Sequence, residues 1–487
     1  MVDVLILVVV STTLFIPIVV YFYFKHKYSF WSKQGISGPK PIPFLGTLYC
    51  YKGTVHEDEY EISKYGRLIG CYDVVTPVLM VTDPEVIKEV TVKRFSSFNA
   101  NHLFFGDKIL KQMLVQKSGE EWKKMRSHTT PMFTASKIKT MLPTIEESGK
   151  VLITHIDKYV ESQGGENVPI KLRGYMGLFS IDIISKVAFS TDIQAFEKGE
   201  SDEAIKKFTG LSQPSTVKYI LSMFMPRKLR ELMEFSVFPR DCIEYTLSFL
   251  RTVVEQKKQE GNKVAKKENE KFLDLFIKAD VFTDEEILAN AVMIFGGGLE
   301  TTRTSLVLCL YFLSFHQEIQ EKLFQEIKDL YDKEKFDADN IMAAEYLGAV
   351  VNETLRYYPP ITRVDRIATE DVTLNSGITI PKGGIVRFPI YSIHHQEEYF
   401  PDNMEFKPER FIPENRESVK DVFISFFTGQ RNCLGMRFAS LEIRWVIGHL
   451  VLKYKFTRPP NDKETYRKLP ANGQFLCSDV VLYIERR

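Results

Sequence analysis

The chain has 487 residues, 44% hydrophobic and 26% charged, the composition of a globular protein with a sizeable core and not of a disordered or fibrous one. A formal net charge of +1 leaves no global field to recruit nucleic acid or an acidic partner. The six cysteines (Cys50, Cys71, Cys242, Cys309, Cys433, Cys477) stand far apart with no CxxC pair, which excludes a zinc ribbon or a disulfide framework and suits a reducing compartment.

Val4 to Phe24 is a run without a formal charge, rich in Val, Ile, Leu and Phe. As a helix it would span roughly 30 Å, the thickness of a bilayer core, and Pro17 is tolerable in a membrane helix. Lys25, His26, Lys27 and Lys33 follow it and only Asp3 precedes it, so the basic flank should stay cytosolic and the bulk of the chain with it. Gly35 to Phe44, with Pro39, Pro41 and Pro43, reads as a semi-rigid extended spacer. The expected division is an anchor over 1–27, a basic, Pro-rich hinge over 28–46, and one large domain over 47–487.

Residues 67–82 alternate around Thr76-Pro77, which predicts two short strands joined by a turn; Asp83-Pro84 then supplies an N-cap and a first-turn proline. A helix is predicted from Gly119, with Trp122 and Arg126 four apart on one face. An indole N–H beside a guanidinium makes a clamp for a carboxylate, although the same pair also serves as a stacked surface contact. Residues 219–238 mix apolar side chains with Arg227, Lys228 and Arg230, a pattern of core or of a segment lying in a membrane surface. Glu255 to Lys271, dense in lysine, reads as a solvated loop or frayed helix.

Thr283-Asp284-Glu285-Glu286 is a capping box, and the apolar run after it reaches about His316 without a proline. That predicts a long helix through the middle of a large domain, and Glu300 and Arg303 exclude it as a second membrane span. Gly296, Gly297 and Gly298 each weaken a helix by about 1 kcal/mol relative to Ala, as expected of a groove where something passes close to the backbone. Glu300 and Thr301 beside it supply an acid and a hydroxyl for proton delivery. A packing notch for a crossing helix explains the glycines, but not Glu300 and Thr301. Glu353 and Arg356 sit one turn apart among apolar residues, so a buried pair is expected, and Pro408-Glu409-Arg410-Phe411 adds a second arginine.

Cys433 lies between Gly429 and Gly435, just before the helically spaced Phe438, Leu441, Trp445 and Leu450. A thiol at a helix start meets unpaired N–H groups and the positive end of the dipole, which favour thiolate. Lys468 to Val481 alternates through Ala471-Asn472-Gly473, a hairpin turn.

Phe426, Gly429, Arg431, Cys433 and Gly435 fit Phe-x-x-Gly-x-Arg-x-Cys-x-Gly, which resembles the haem-ligand loop of the cytochrome P450 family; Phe427 and Gln430 depart from it, standing where that family often has Gly and Pro. Gly297 to Thr302 is similar to its oxygen-activating motif, Trp122 and Arg126 to its propionate-binding helix, and Glu353, Arg356 and Arg410 to its structural triad. The resemblance implies a mainly α fold with small β-sheets, a single large haem domain behind an N-terminal membrane anchor. It implies haem b with Cys433 as axial iron ligand. Trp122, Arg126, Arg366, Arg431, Phe426, Gly429 and Gly298 would surround the cofactor, with Thr301 and Glu300 catalytic. The implied activity is a microsomal monooxygenase of the drug- and steroid-handling kind. It would be a single-pass protein of the endoplasmic reticulum with its catalytic domain cytosolic, drawing electrons from NADPH through a flavoprotein reductase, with a small haem protein as a further electron carrier. The substrate is expected to be an apolar small molecule. A haem-thiolate isomerase or dehydratase acting on a lipid peroxide is the alternative.

Overall fold

The computed structural model describes residues 2–101, 107–225, 227–260, 271–333, 337–458, 468–469, 476–477 and 480–487; of the side chains at 2–14, 223, 227, 260, 468–469 and 476–477 nothing is described. Helices dominate, with four small sheets. The chain divides into two units, 1–102 with 363–392, and 103–362 with 393–487.

In the first unit the opening helix runs Val2–Tyr28 through Pro17. Among the described residues no helix is both long and apolar enough to cross a membrane. The expected spacer is tied down: the Gly70 N–H donates to Ser37 O at 2.8 Å, and Trp31, buried, donates its indole N–H to Cys71 O at 2.9 Å. A Cβ on Gly70 would fall 2.5 Å from the Trp31 ring, so the glycine is what admits the indole. Leu68–Asp73 and Thr76–Val81 form the predicted strand pair. The turn between them falls at Val74-Val75, with Val74 at φ 57°, and Thr76-Pro77 already belongs to the second strand. Pro77 is harmless there because its partner Tyr72 directs its own N–H and C=O to Thr47 instead. Ile385–Phe388 adds in parallel and Val364–Ile367 antiparallel, completing four strands. Asp83 caps the next helix through the N–H groups of Glu85 and Val86.

In the second unit the capping box forms as expected, Thr283 Oγ1 accepting from the Glu286 N–H and Glu286 Oε2 from the Thr283 N–H. The central helix Asp284–Phe315 has 32 residues, about 48 Å at 1.5 Å per residue. It is apolar on most faces and buried along most of its length, its capped first turn excepted. Leu172–Phe189, buried on nearly all sides, packs along it. Met436–Lys453 starts just after Cys433 and buries Phe438, Leu441, Trp445 and Leu450. It meets Leu142–Ser162, where a Cβ on Gly149 would fall 1.8 Å from the Trp445 ring. The last strand, Val481–Arg486, pairs antiparallel with Val168–Lys171 and Tyr454–Thr457. Lys468–Leu469 pairs with Leu476–Cys477, while the predicted turn at Ala471-Asn472-Gly473 lies outside the described residues, as does most of the lysine-rich stretch after Glu260.

Candidate functional site

The stretch leading into Cys433 is a loop held by its own backbone. The Phe427 N–H donates to Ile424 O at 2.7 Å, the Asn432 N–H to Gly429 O at 3.2 Å, and the Cys433 N–H to Phe426 O at 2.9 Å. These turns need two left-handed residues, Phe427 at φ 58° and Gly429 at φ 76°. Gly429 adopts that conformation freely, whereas at Phe427 the side chain costs about 1 kcal/mol.

The Cys433 side chain is exposed. Burial pushes its thiol up, against the N–H groups of Gly435 and Met436 and the charge of Arg126. Contrary to the expectation from the helix start alone, desolvation outweighs these donors.

Trp122 and Arg126 come from the helix Gly119–Thr129. Arg126 donates to Asn432 O at 3.1 Å and to Asn432 Oδ1 at 2.8 Å, and Arg431 lies over the Trp122 ring at 4.5 Å while donating to Lys117 O. The structure therefore brings Trp122, Arg126, Arg431 and Cys433 together, with Asn432 as a link that the sequence did not single out. Burial pulls Arg126 down while Cys433 raises it. Arg366 belongs to the first unit, where it donates to Asn101 Oδ1 at 2.6 Å and burial lowers it to about 10.

On the central helix, Glu300 and Thr301 are separated by about 100° of rotation and face different surroundings. Thr301 is half-buried and donates to Gly297 O at 2.6 Å. Glu300 is fully buried and both its oxygens are taken: Arg303 holds one, while Arg173 at 3.0 Å and Thr304 at 3.2 Å hold the other. Glu300, the acid expected to work beside Thr301, is ion-paired and reaches Arg173 on Leu172–Phe189. The glycines divide in the same way. Gly298 is a packing notch, with a Cβ there 3.0 Å from Ile184, whereas a Cβ at Gly297 would meet nothing within 4 Å among the described residues.

Glu353 and Arg356 form the buried pair expected, bidentate at 2.7 and 2.9 Å. Arg356 also donates to His394 O, Asn403 O and Glu405 O, so all five guanidinium hydrogens are used. Glu353 accepts from the Lys407 N–H at 2.8 Å, and Arg410 stands 3.6 Å from it while donating to Pro401 O and Asp402 O.

The family model for cytochrome P450 matches residues 36–479. The chain belongs to the cytochrome P450 family. Among curated relatives, cytochrome P450 3A9 of Rattus norvegicus is 35% identical over 473 residues, 94% of this chain and 92% of the relative. Cytochrome P450 3A25 of Mus musculus is 35% identical over 460 residues, 91% of this chain and 88% of the relative, and cytochrome P450 3A13 of Mus musculus 34% over 473. This P450 is thus a haem monooxygenase with the mainly helical fold and small sheets of its family.

One group beside the site had no signal in the sequence. Glu442, on the helix after Cys433, is 2% exposed, and its Oε1 accepts from Thr302 on the central helix at 2.8 Å. Burial pushes its carboxyl up to about 8, so at neutral pH it is a neutral acid joining the two helices.

Two outcomes follow from this geometry. Phe427→Gly should be more stable than Phe427→Ala by about 1 kcal/mol in denaturant unfolding, because both lose the ring but only Ala keeps the strain. For Glu442, the unfolded carboxyl releases its proton from about pH 4.5 upward while the folded one keeps it to about 8, so it lowers stability progressively as pH rises through that window. The stability of Glu442→Gln relative to the parent should therefore climb between pH 4.5 and 8, by on the order of 4 kcal/mol, and level off above; a flat difference would show that the carboxyl is ionised in the fold.

Proposed function

We propose that this P450 is a microsomal monooxygenase of the endoplasmic reticulum. It takes electrons from NADPH through a separate flavoprotein reductase, with a small haem protein as a further carrier. It inserts one oxygen atom of O2 into an apolar small molecule, a xenobiotic, steroid or lipid. The observation that carries the reading is Cys433 at the head of a helix, with two N–H groups at its sulfur and the guanidinium groups of Arg126 and Arg431 nearby. Haem b, bound through Cys433, supplies the oxygen activation.

The residues present fit that group. Cys433 is exposed, Phe426 O fixes its backbone, and Gly429 gives the loop its turn. Arg126 and Arg431 offer two cations, and Trp122 an indole, for two propionates; Arg366 is a further candidate. The Thr301 hydroxyl, at the half-buried face beside Gly297, holds a proton at Oγ1 for delivery. Glu300 serves here as a fixed acid: clamped by Arg173 and Arg303, it holds the helix and Thr301 with it. Glu353, Arg356 and Arg410 are structural.

The apolar run Val4–Phe24 with its basic flank supports a single-pass anchor over 1–27 followed by the hinge. On Thr216–Phe224 and Arg227–Leu232 the side chains of Val217, Ile220, Leu221, Phe224, Leu229 and Leu232 are exposed, beside Lys218 and Lys228, which supports contact with lipid.

The deciding test is the carbon monoxide difference spectrum of the reduced protein beside Cys433→Ala: a strongly red-shifted Soret band in the parent, absent in the variant. With reductase, the parent should consume NADPH when an apolar substrate is added, whereas conversion of a lipid peroxide without reductase would favour the isomerase or dehydratase. Thr301→Ala should keep NADPH consumption but lose product by about a hundredfold, the lower end of what positioned proton transfer contributes.

A further inference from the structure

We infer that His394 is the positioning residue that transmits the fixed geometry of the Glu353–Arg356 pair to the cysteine loop. The inference rests on Cys433 being the iron ligand. His394 is fully buried. Its Nδ1 lies 3.2 Å from Arg356 O, and its Nε2 lies 3.0 Å from the backbone nitrogen of Ile424. A carbonyl oxygen only accepts and a backbone N–H only donates, so the partners settle the tautomer: Nδ1 carries the hydrogen and Nε2 the lone pair. The imidazole is held in that neutral form by burial and by the Arg356 charge, both of which push it well below the usual histidine range.

The connection runs both ways and is short. His394 O accepts from Arg356 Nη1 at 3.0 Å, so backbone and side chain both grip Arg356. The ring stacks on Phe423 at 5.5 Å. Beyond Nε2, Ile424 O accepts the Phe427 N–H that begins the strained turn, and Phe426 O accepts the Cys433 N–H. Ser425 Oγ adds a second tether, donating to Leu355 O at 2.9 Å. Displacing Ile424 therefore displaces the residue whose carbonyl holds Cys433. An imidazole suits the position because it presents a donor and an acceptor on opposite edges of one rigid plane; losing the acceptor leaves a buried N–H unsatisfied.

The test compares His394→Gln, His394→Asn and His394→Phe as holoproteins with the parent. A Gln carbonyl oxygen takes the place of Nε2 and accepts from Ile424, whereas an Asn amide replaces only Nδ1. His394→Gln should keep the parent's red-shifted carbon monoxide band. His394→Asn and His394→Phe should convert most of their haem to a form without that band and pass haem to an apo acceptor at least about tenfold faster, the effect of one unsatisfied buried N–H. Their far-ultraviolet circular dichroism should match the parent's. If Asn or Phe keeps the parent's spectrum and haem-transfer rate, or if Gln loses as much as Asn, the assignment is overturned. Should the Phe variant not fold, the contrast between Gln and Asn decides. A parent without the band sinks the haem-thiolate reading itself, which the variants do not touch.

Discussion

A guanidinium group buried without partners would be among the most costly features a fold can hold, and Arg356 escapes that cost only because every one of its hydrogens has an acceptor. Two of those acceptors belong to one carboxylate one turn away, and three are backbone carbonyls of segments between His394 and Glu405. Such an arrangement tolerates no sliding. The segments it gathers are the ones that carry the chain toward the cysteine loop, which Arg356 itself never touches.

The central helix carries the complementary constraint. It runs buried for most of its length, so each face must either pack or be paired. One face packs, with Gly298 against Ile184 and Gly177 giving Arg303 room. A neighbouring one is electrostatic, with Glu300 between Arg173 and Arg303. Around Gly297 and Thr301 the helix leaves space among the described residues, and a hydroxyl. On the far side Thr302 reaches Glu442 and so couples this helix to the one that begins at the cysteine.

What was legible in the sequence was local. The capping box, the long helix, the Glu353–Arg356 pair, the strand pair after residue 67 and the spacing around Cys433 each lie within one continuous stretch of chain. What escaped depended on distant segments. Glu300 reads as a free acid until Arg173, on another helix, is brought against it. Glu442 looks like an ordinary helix-surface glutamate until the helix is buried. His394 sits in an unremarkable His-His pair, and its meaning comes from Arg356 and Ile424. The turn expected at Thr76-Pro77 moved because proline is acceptable in a strand position whose partner bonds elsewhere, something only the Tyr72–Thr47 contact reveals. The helix-start argument at Cys433 had the right donors but lacked the desolvation that opposes them.

The junction at the end of the first helix bears on how the protein can be shortened. Phe24 is buried, its ring against Tyr28 and Phe44, and Tyr28 donates to Ile42 O and Val74 O. The apolar run and the folded body therefore overlap, and no clean seam lies between them at residue 27. A truncated chain that keeps the packing has to begin ahead of Phe24, and one that begins at Tyr21 carries Tyr21, Phe22 and Tyr23 exposed at its new end. Three bare aromatic side chains favour self-association or detergent binding, so handling such a fragment in water will turn on those residues even after residues 1–20 are gone.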